Sequence, residues 1–318
     1  MPDNTPIAVT SRSFSRHPVL REELIARYDN VRFNDEGLSL QGAALIDFLR
    51  GRRKVITGLE TVDDALLSAV PELNVIAKYG VGLDMIDMEA MTRHGVHLGW
   101  KGGVNRRSVA ELVLGFMISL LHLVPECDRD LRGETWQNKK GRQLTGRTIG
   151  IVGCGHIGKD LTGLLAPFGC RILANDIRDF PEFYAENGVE PVSLDQLLEA
   201  ADIVTLHIPL NAATHHIINA GTIARMRRGA ILINAARGGL VDEAALKAAL
   251  QQRHLQAAAF DVFAIEPPED WELFKLPNFL GTPHIGGSTE EAILAMGRAA
   301  IAGLDDHALP DADNRPTG

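Results

Sequence analysis

The chain has 318 residues, which at roughly 100–200 residues per domain predicts two domains, each large enough to bury its own core. Apolar residues make up 45% and charged residues 23%, a soluble globular mixture that excludes a disordered or fibrous chain. Lys plus Arg number 32 against 41 Asp plus Glu, a formal charge of −9, which excludes a general attraction to nucleic acid or to an anionic membrane and leaves any anionic ligand to local groups.

Short β-rich runs alternate with helical patterns from end to end, the sign of parallel sheets covered by helices, so an α/β fold is expected. The N-terminal Met1–Thr10 has no basic stretch followed by an apolar one, so no secretory leader is expected. In the first third, Ile7–Thr10, Val31–Phe33, Lys54–Thr57 and Asn74–Ala77 predict strands, with helices around Val19–Tyr28, Gly42–Arg50 and Asp63–Ala69. These make a small doubly wound sheet. The apolar run Val109 to Val124 contains Glu111 and His122; it is too short and too polar to span a bilayer and predicts one long buried helix from about Ser108 to Val124. Thr148–Val152, Arg171–Asn175, Ile203–His207, Ala230–Asn234 and Ala257–Asp261 then predict a second strand series, with helices such as Asp242–Gln251 between. A last helix from about Thr289 to His307 precedes a tail, Pro310–Gly318, expected to fray. Cys127, Cys154 and Cys170 form neither a CxxC pair nor a Cys/His metal spacing; no metal is expected, and an odd count suits a reducing, cytoplasmic compartment.

Within the second series, Thr148-Ile-Gly-Ile-Val-Gly153-Cys-Gly155-His-Ile-Gly158 runs from a strand through GxGxxG into a helix. Gly153 would make the tight turn, Gly155 would let the backbone approach a pyrophosphate, and Gly158 would let helix and strand pack closely. The next strand, Arg171 to Asn175, ends in Asp176, 18 residues after Gly158. A carboxylate there accepts hydrogen bonds from an adenosine ribose and repels a 2′-phosphate, so NAD is expected over NADP. Arg178 is the nearby cation that would tolerate the extra phosphate. Because this turn lies halfway along the chain, residues 1–100 and 290–318 are expected to form one discontinuous domain around a central one, 101–289. The chemistry is expected in the cleft between them, with Gly102–Gly103 and Gly286–Gly287 as hinge candidates.

Polar residues after the later strands have the most weight, since a dinucleotide fold binds at the carboxyl ends of its strands. Arg237 follows an apolar strand and precedes a glycine pair; Asp261 ends a strand; Glu266 stands before two prolines; His284 sits in Thr-Pro-His-Ile-Gly-Gly. Singly, these read as surface ion pairs and a loop histidine. Together they suit oxidation of a 2-hydroxyacid: histidine takes the hydroxyl proton, a carboxylate beside it orients the ring, and arginine grips the substrate carboxylate.

In this order and spacing, Gly-Cys-Gly-His-Ile-Gly, Asn-Ala-Ala-Arg-Gly-Gly-Leu-Val-Asp-Glu, Asp-Val-Phe-Ala-Ile-Glu-Pro-Pro and Thr-Pro-His-Ile-Gly-Gly resemble the NAD-dependent D-2-hydroxyacid dehydrogenases, most of all the short phosphoglycerate dehydrogenase branch. The resemblance covers essentially the whole chain, with Lys78-Tyr-Gly-Val81-Gly-Leu-Asp84 similar to the family's substrate-side loop. It implies two doubly wound domains, a central Rossmann NAD-binding domain inserted into a flavodoxin-like substrate or catalytic domain. It implies catalysis by Arg237, Glu266 and His284. Cofactor contacts would come from Val81, Gly153, Gly155, His156, Ile157, Gly158, Asp176, Ile208, Ala235, Ala236, Arg237, Asp261, His284 and Gly286, with Val81 near the nicotinamide and Asp261 on its carboxamide. It further implies a homodimer acting on a small 2-hydroxy or 2-keto acid, 3-phosphoglycerate first and glyoxylate or hydroxypyruvate next.

Two stretches depart from the family pattern. After the third strand, where phosphoglycerate enzymes often carry arginine, Ile56-Thr57-Gly58-Leu59-Glu60 offers a carboxylate. Trp100-Lys101-Gly102 and Asn105-Arg106-Arg107 replace the usual approach to the long helix. Lys101, Arg106 or Arg107 would then be substitute phosphate ligands or simply solvated cations. Of the other classes, an NAD-sensing corepressor-like protein has no need of the Arg/Glu/His set, and a methyltransferase leaves that set and Asp176 unexplained.

Overall fold

The computed structural model describes residues 2–310. The chain divides into two compact units, Met1–Asn105 with Glu290–Gly318, and Arg106–Thr289.

Unit 1 is built on five parallel strands, β1 (Ile7–Val9), β2 (Val31–Phe33), β3 (Lys54–Thr57), β4 (Val75–Lys78) and β5 (His97–Gly99), in the order β2-β1-β3-β4-β5. One face is covered by the helices Gly42–Leu49, Asp64–Ala69 and Met88–His94, which contribute Leu45, Leu66, Leu67 and Met91 to its core. The other is covered by Arg12–Arg16, Pro18–Ile25 and Glu290–Gly303, with Phe14, Leu20, Leu24 and Ile301 inward. The helix starts are legible chemistry: Ser11, Asp63 and Asp87 each accept a first-turn backbone N–H, as capping residues do. Strand β5 was not expected, because His-Leu-Gly carries almost no apolar pattern. It exists through its neighbours: β4 pairs along one side and Leu98 bridges Ala308 on the other. Gly99 is required there, since a Cβ would lie 1.9 Å from the Gly303 carbonyl oxygen.

Unit 2 holds seven parallel strands, β6 (Thr148–Val152), β7 (Arg171–Asn175), β8 (Val189–Pro191), β9 (Ile203–Leu206), β10 (Ala230–Asn234), β11 (Leu255–Phe260) and β12 (Phe279–Gly281), in the order β12-β11-β10-β9-β6-β7-β8. The three-residue edge strands β8 and β12 were not expected, being too short to show a period. Separate apolar clusters cover the two faces of the sheet.

The single long helix expected over Ser108–Val124 is two helices, Arg106–Leu121 and Val124–Arg132. Proline 125 has no N–H to give the carbonyl four residues back. That carbonyl, on Leu121, instead accepts the Arg142 N–H at 2.8 Å, and Leu123 turns the chain with φ of 57°.

Candidate functional site

The register of unit 2 sets one row across its sheet: Gly281, Phe260, Asn234, Leu206, Val152 and Asn175 are successive partners. Each strand leaves the sheet just beyond this row. Thr282, Asp261, Ala235, His207, Gly153 and Asp176 therefore begin their loops level with one another, at the carboxyl ends where such sheets bind ligands.

At the β6 end the turn is closed by close packing. Gly153 has φ of 97°, and a Cβ on it would lie 2.6 Å from the His207 carbonyl oxygen and 2.7 Å from Ile208 Cγ2. A Cβ on Gly158 would lie 2.4 Å from the Gly153 carbonyl oxygen. The helix His156–Leu165 starts directly after Gly155, so the first-turn amides of His156 and Ile157 face outward from its positive end without intrahelical partners. A helix start of this kind is chemically suited to an anion such as a pyrophosphate. Partial burial and the charges of Arg106, Lys159 and Arg178 hold the His156 pKa below its usual value. Burial pushes the Cys154 thiol up to about 11, which keeps it protonated and inert. Asp176 Oδ2 accepts the Cys154 N–H at 2.7 Å and Oδ1 the Arg178 N–H at 2.8 Å, so the expected ribose carboxylate also ties the second strand end to the glycine turn.

The neighbouring strands β10, β11 and β12 supply the other groups. Glu266 Oε2 lies 2.7 Å from His284 Nδ1, and their side chains are 37% and 52% exposed, open to a ligand. Glu266 Oε1 accepts the Phe263 N–H at 2.9 Å, which fixes the carboxylate in its loop. Arg237 follows β10; its Nη1 donates to the Ala236 carbonyl at 2.7 Å, between the nearly buried Ala235 and Ala236 and the glycine pair.

Asp261, expected from the resemblance to meet a nicotinamide carboxamide, is only 1% exposed as a residue, and its side chain accepts three donors from the loop that follows β12. These are Thr282 Oγ1 at 2.5 Å and the Ile285 N–H at 2.8 Å on Oδ1, and the Gly286 N–H at 2.7 Å on Oδ2. Its carboxylate thus anchors the loop that carries His284. Gly286, expected as a hinge, is buried, and its carbonyl accepts from Ser108 Oγ. Sequence reasoning missed Asn234, which is fully buried, accepts the Ala236 N–H and donates to the Arg237 carbonyl, setting the loop of the arginine. Its position as the last residue of an apolar strand was the available signal.

The remaining candidates lie elsewhere. Val81 is in unit 1, its carbonyl accepting the Trp100 indole N–H at 3.1 Å. Arg107 makes two hydrogen bonds to Asp160, at 2.7 and 3.1 Å, with Arg106 4.0 Å from the same carboxylate. Among the described residues no group of three or more His, Cys, Asp or Glu side chains could hold a metal ion.

Residues 114–286 match the family model described as D-isomer specific 2-hydroxyacid dehydrogenase, NAD binding domain. The chain is 39% identical over 269 residues to D-3-phosphoglycerate dehydrogenase of Mycobacterium tuberculosis, covering 82% of this chain and 50% of that protein. It is 38% identical over 248 residues to hydroxypyruvate reductase of Thermotoga maritima, covering 76% and 80% respectively. A glyoxylate reductase structure from Paecilomyes thermophila superposes with a TM-score of 0.85 at 25% identity, covering 96% of this chain and 97% of that one. The chain spans about half the length of the phosphoglycerate dehydrogenase it matches.

Proposed function

The chain belongs to the D-isomer specific 2-hydroxyacid dehydrogenase family, and we propose that it interconverts a small D-2-hydroxyacid and its 2-ketoacid with NAD. One observation carries this reading: the 2.7 Å Glu266–His284 pair stands on strand ends adjacent to that of Arg237, on the unit that also bears the helix start suited to a pyrophosphate. NAD, when bound, accepts or returns the hydride. Gly153, Gly155, Gly158 and the amides of His156 and Ile157 would hold its phosphates, Asp176 its adenosine ribose and Asp261 its carboxamide, and Val81, Ile208, Ala235, Ala236 and Gly286 would line it. Arg237 pairs with the substrate carboxylate as a bidentate donor. With Nδ1–H donated to Glu266, His284 presents Nε2 to the substrate hydroxyl and takes its proton on oxidation, returning it on reduction.

The names of the relatives make 3-phosphoglycerate the first substrate to try, with hydroxypyruvate and glyoxylate next. The test is nicotinamide absorbance with NAD or NADH against 3-phosphoglycerate, D-glycerate, D-lactate, hydroxypyruvate and glyoxylate. Turnover of at least one is expected, and turnover of none rejects the reading. We further propose a cytoplasmic homodimer. Among the described residues no single helix is long and apolar enough to cross a membrane. Ile118, Val124 and Leu131 are exposed in the helical segment of unit 2, and Trp136 beyond it is 90% exposed, an apolar run suited to a second copy. Light scattering should give twice the chain mass, and Trp136→Ser should shift the equilibrium toward monomer.

A further inference from the structure

Two carboxylates stand side by side at the start of the helix Glu243–Gln251, and they have different partners. Asp242 Oδ1 accepts the Ala244 and Ala245 N–H groups, at 3.0 and 3.1 Å, and so caps the helix. An acid in the first turn also favours a helix through its dipole, and Glu243 would be unremarked if that were its whole role. Its side chain instead leaves the helix, and Oε1 accepts the Ala264 N–H at 2.8 Å.

Ala264 belongs to the segment after β11 that carries Glu266. Among the described residues no backbone–backbone hydrogen bond begins or ends between Val262 and Asp270, so this segment is held by side chains and packing. The Phe263 N–H goes to Glu266 Oε1 at 2.9 Å, and the next amide, that of Ala264, goes to Glu243. Phe263 is buried, with its ring centroid 4.9 Å from that of Phe274. Gly238 closes the peptide from another side, since a Cβ there would overlap the Phe263 carbonyl and the Ala264 nitrogen. The Phe263–Ala264 peptide is therefore gripped between the turn that follows Arg237 and the Glu243 carboxylate. One helical turn on from Glu243, Lys247 lies 3.6 Å from Asp270 at the far end of the segment, so the same helix face meets both ends.

We propose, resting on the reaction assigned above, that Glu243 is a positioning residue for that reaction. By fixing the Ala264 amide it fixes the turn in which Glu266 keeps Oε1 on the Phe263 amide and Oε2 on His284 Nδ1. Without it the turn gains freedom, and Glu266 holds the imidazole ring in the reactive orientation for less of the time. A misplacement of about 1 Å can cost up to about 10²-fold in rate. Because Glu243 acts through Glu266, the loss on removing it cannot exceed the loss on removing Glu266.

The experiment uses the full chain, NADH and whichever of hydroxypyruvate, glyoxylate and 3-phosphohydroxypyruvate the wild type reduces fastest. Rates are counted per NADH bound, read from nicotinamide fluorescence, so that unfolded chains drop out. Glu243→Ala should lower kcat about tenfold and leave the ketoacid KM and the NADH Kd within about twofold. Glu243→Gln keeps an acceptor oxygen for the Ala264 amide and should restore kcat to within about threefold of the wild type. In a Glu266→Ala background, Glu243→Ala should lower kcat no further, because the group through which it acts is gone. An unchanged kcat in Glu243→Ala, no restoration by Glu243→Gln, or losses that multiply in the double variant would each overturn the proposal and leave the reaction class standing. Loss of NADH binding by Glu243→Ala would mark a structural role and overturn it likewise. Reduction of none of the three ketoacids by the wild type overturns the reaction class and this proposal with it.

Discussion

His284 is held by its backbone as much as by Glu266. Its φ of 53° is in the left-handed region that non-glycine residues rarely occupy. The strain persists because the His284 N–H bonds the Asp261 carbonyl at 2.8 Å, while the Asp261 carboxylate takes the next two amides. Two substitutions therefore separate chemistry from positioning. His284→Ala should lower kcat by about 10²–10⁴-fold, the usual worth of a general acid–base group, with NAD affinity measured by calorimetry little changed; equal loss of both would mark a structural role. Asp261→Asn should reduce kcat and also the melting temperature, because a carboxamide has one acceptor oxygen where two are used. His207 gives a pH prediction. Burial pushes its pKa from 6.5 down to about 3, so the unfolded chain binds a proton below pH 6.5 that the folded chain refuses until about pH 3. Stability that is present above pH 6.5 is lost as pH falls through that window, with a slope of at most about 1.4 kcal/mol per pH unit. Urea midpoints at pH 7 and pH 5 should differ less for His207→Gln than for the wild type. An equal difference in both proteins would assign the acid sensitivity to other groups.

The helix break at Leu123 illustrates how element boundaries depend on partners outside the local sequence. Residues 109–124 are apolar enough to continue, and Pro125 alone does not end a helix at Leu121. The end is fixed by Arg142, whose N–H takes the Leu121 carbonyl, and by Gly141, where a Cβ would lie 2.6 Å from that same oxygen. Gly141→Ala should accordingly destabilise the protein by about 1–3 kcal/mol. Leu123→Gly should relieve the positive φ and offset part of the cost of a mobile residue. Strands were legible where four or five apolar residues run together, as in β6, β9 and β10. The short β5, β8 and β12 were not, because their pairing depends on neighbours and not on their own composition. For the site, Arg237, Glu266 and His284 were visible because each lies in a glycine- or proline-marked turn after a strand. The loop-anchoring bonds of Asn234 and Asp261 were hidden, since their partners, backbone groups and the Thr282 hydroxyl, come together only in the folded loops.

At the scale of the whole molecule, each unit has its own apolar clusters among the described residues. Both clusters that cover the seven-stranded sheet draw their members from Val109 through Leu280, whereas those of unit 1 draw on Ile7 to Trp100 and the helix Glu290–Gly303 with the adjoining Leu304. Unit 2 thus has a complete core without any residue of unit 1. It also contains every residue proposed for the cofactor except Val81, and the whole network around His284. A fragment of residues 106–289 should therefore unfold cooperatively in urea and bind NAD with a Kd within about tenfold of the full chain, a difference of about 1.4 kcal/mol for the missing Val81 contact. A fragment without a cooperative transition would show that unit 2 depends on unit 1 for its stability. A folded fragment that binds no NAD would instead place essential cofactor contacts in unit 1, beginning with the loop of Val81.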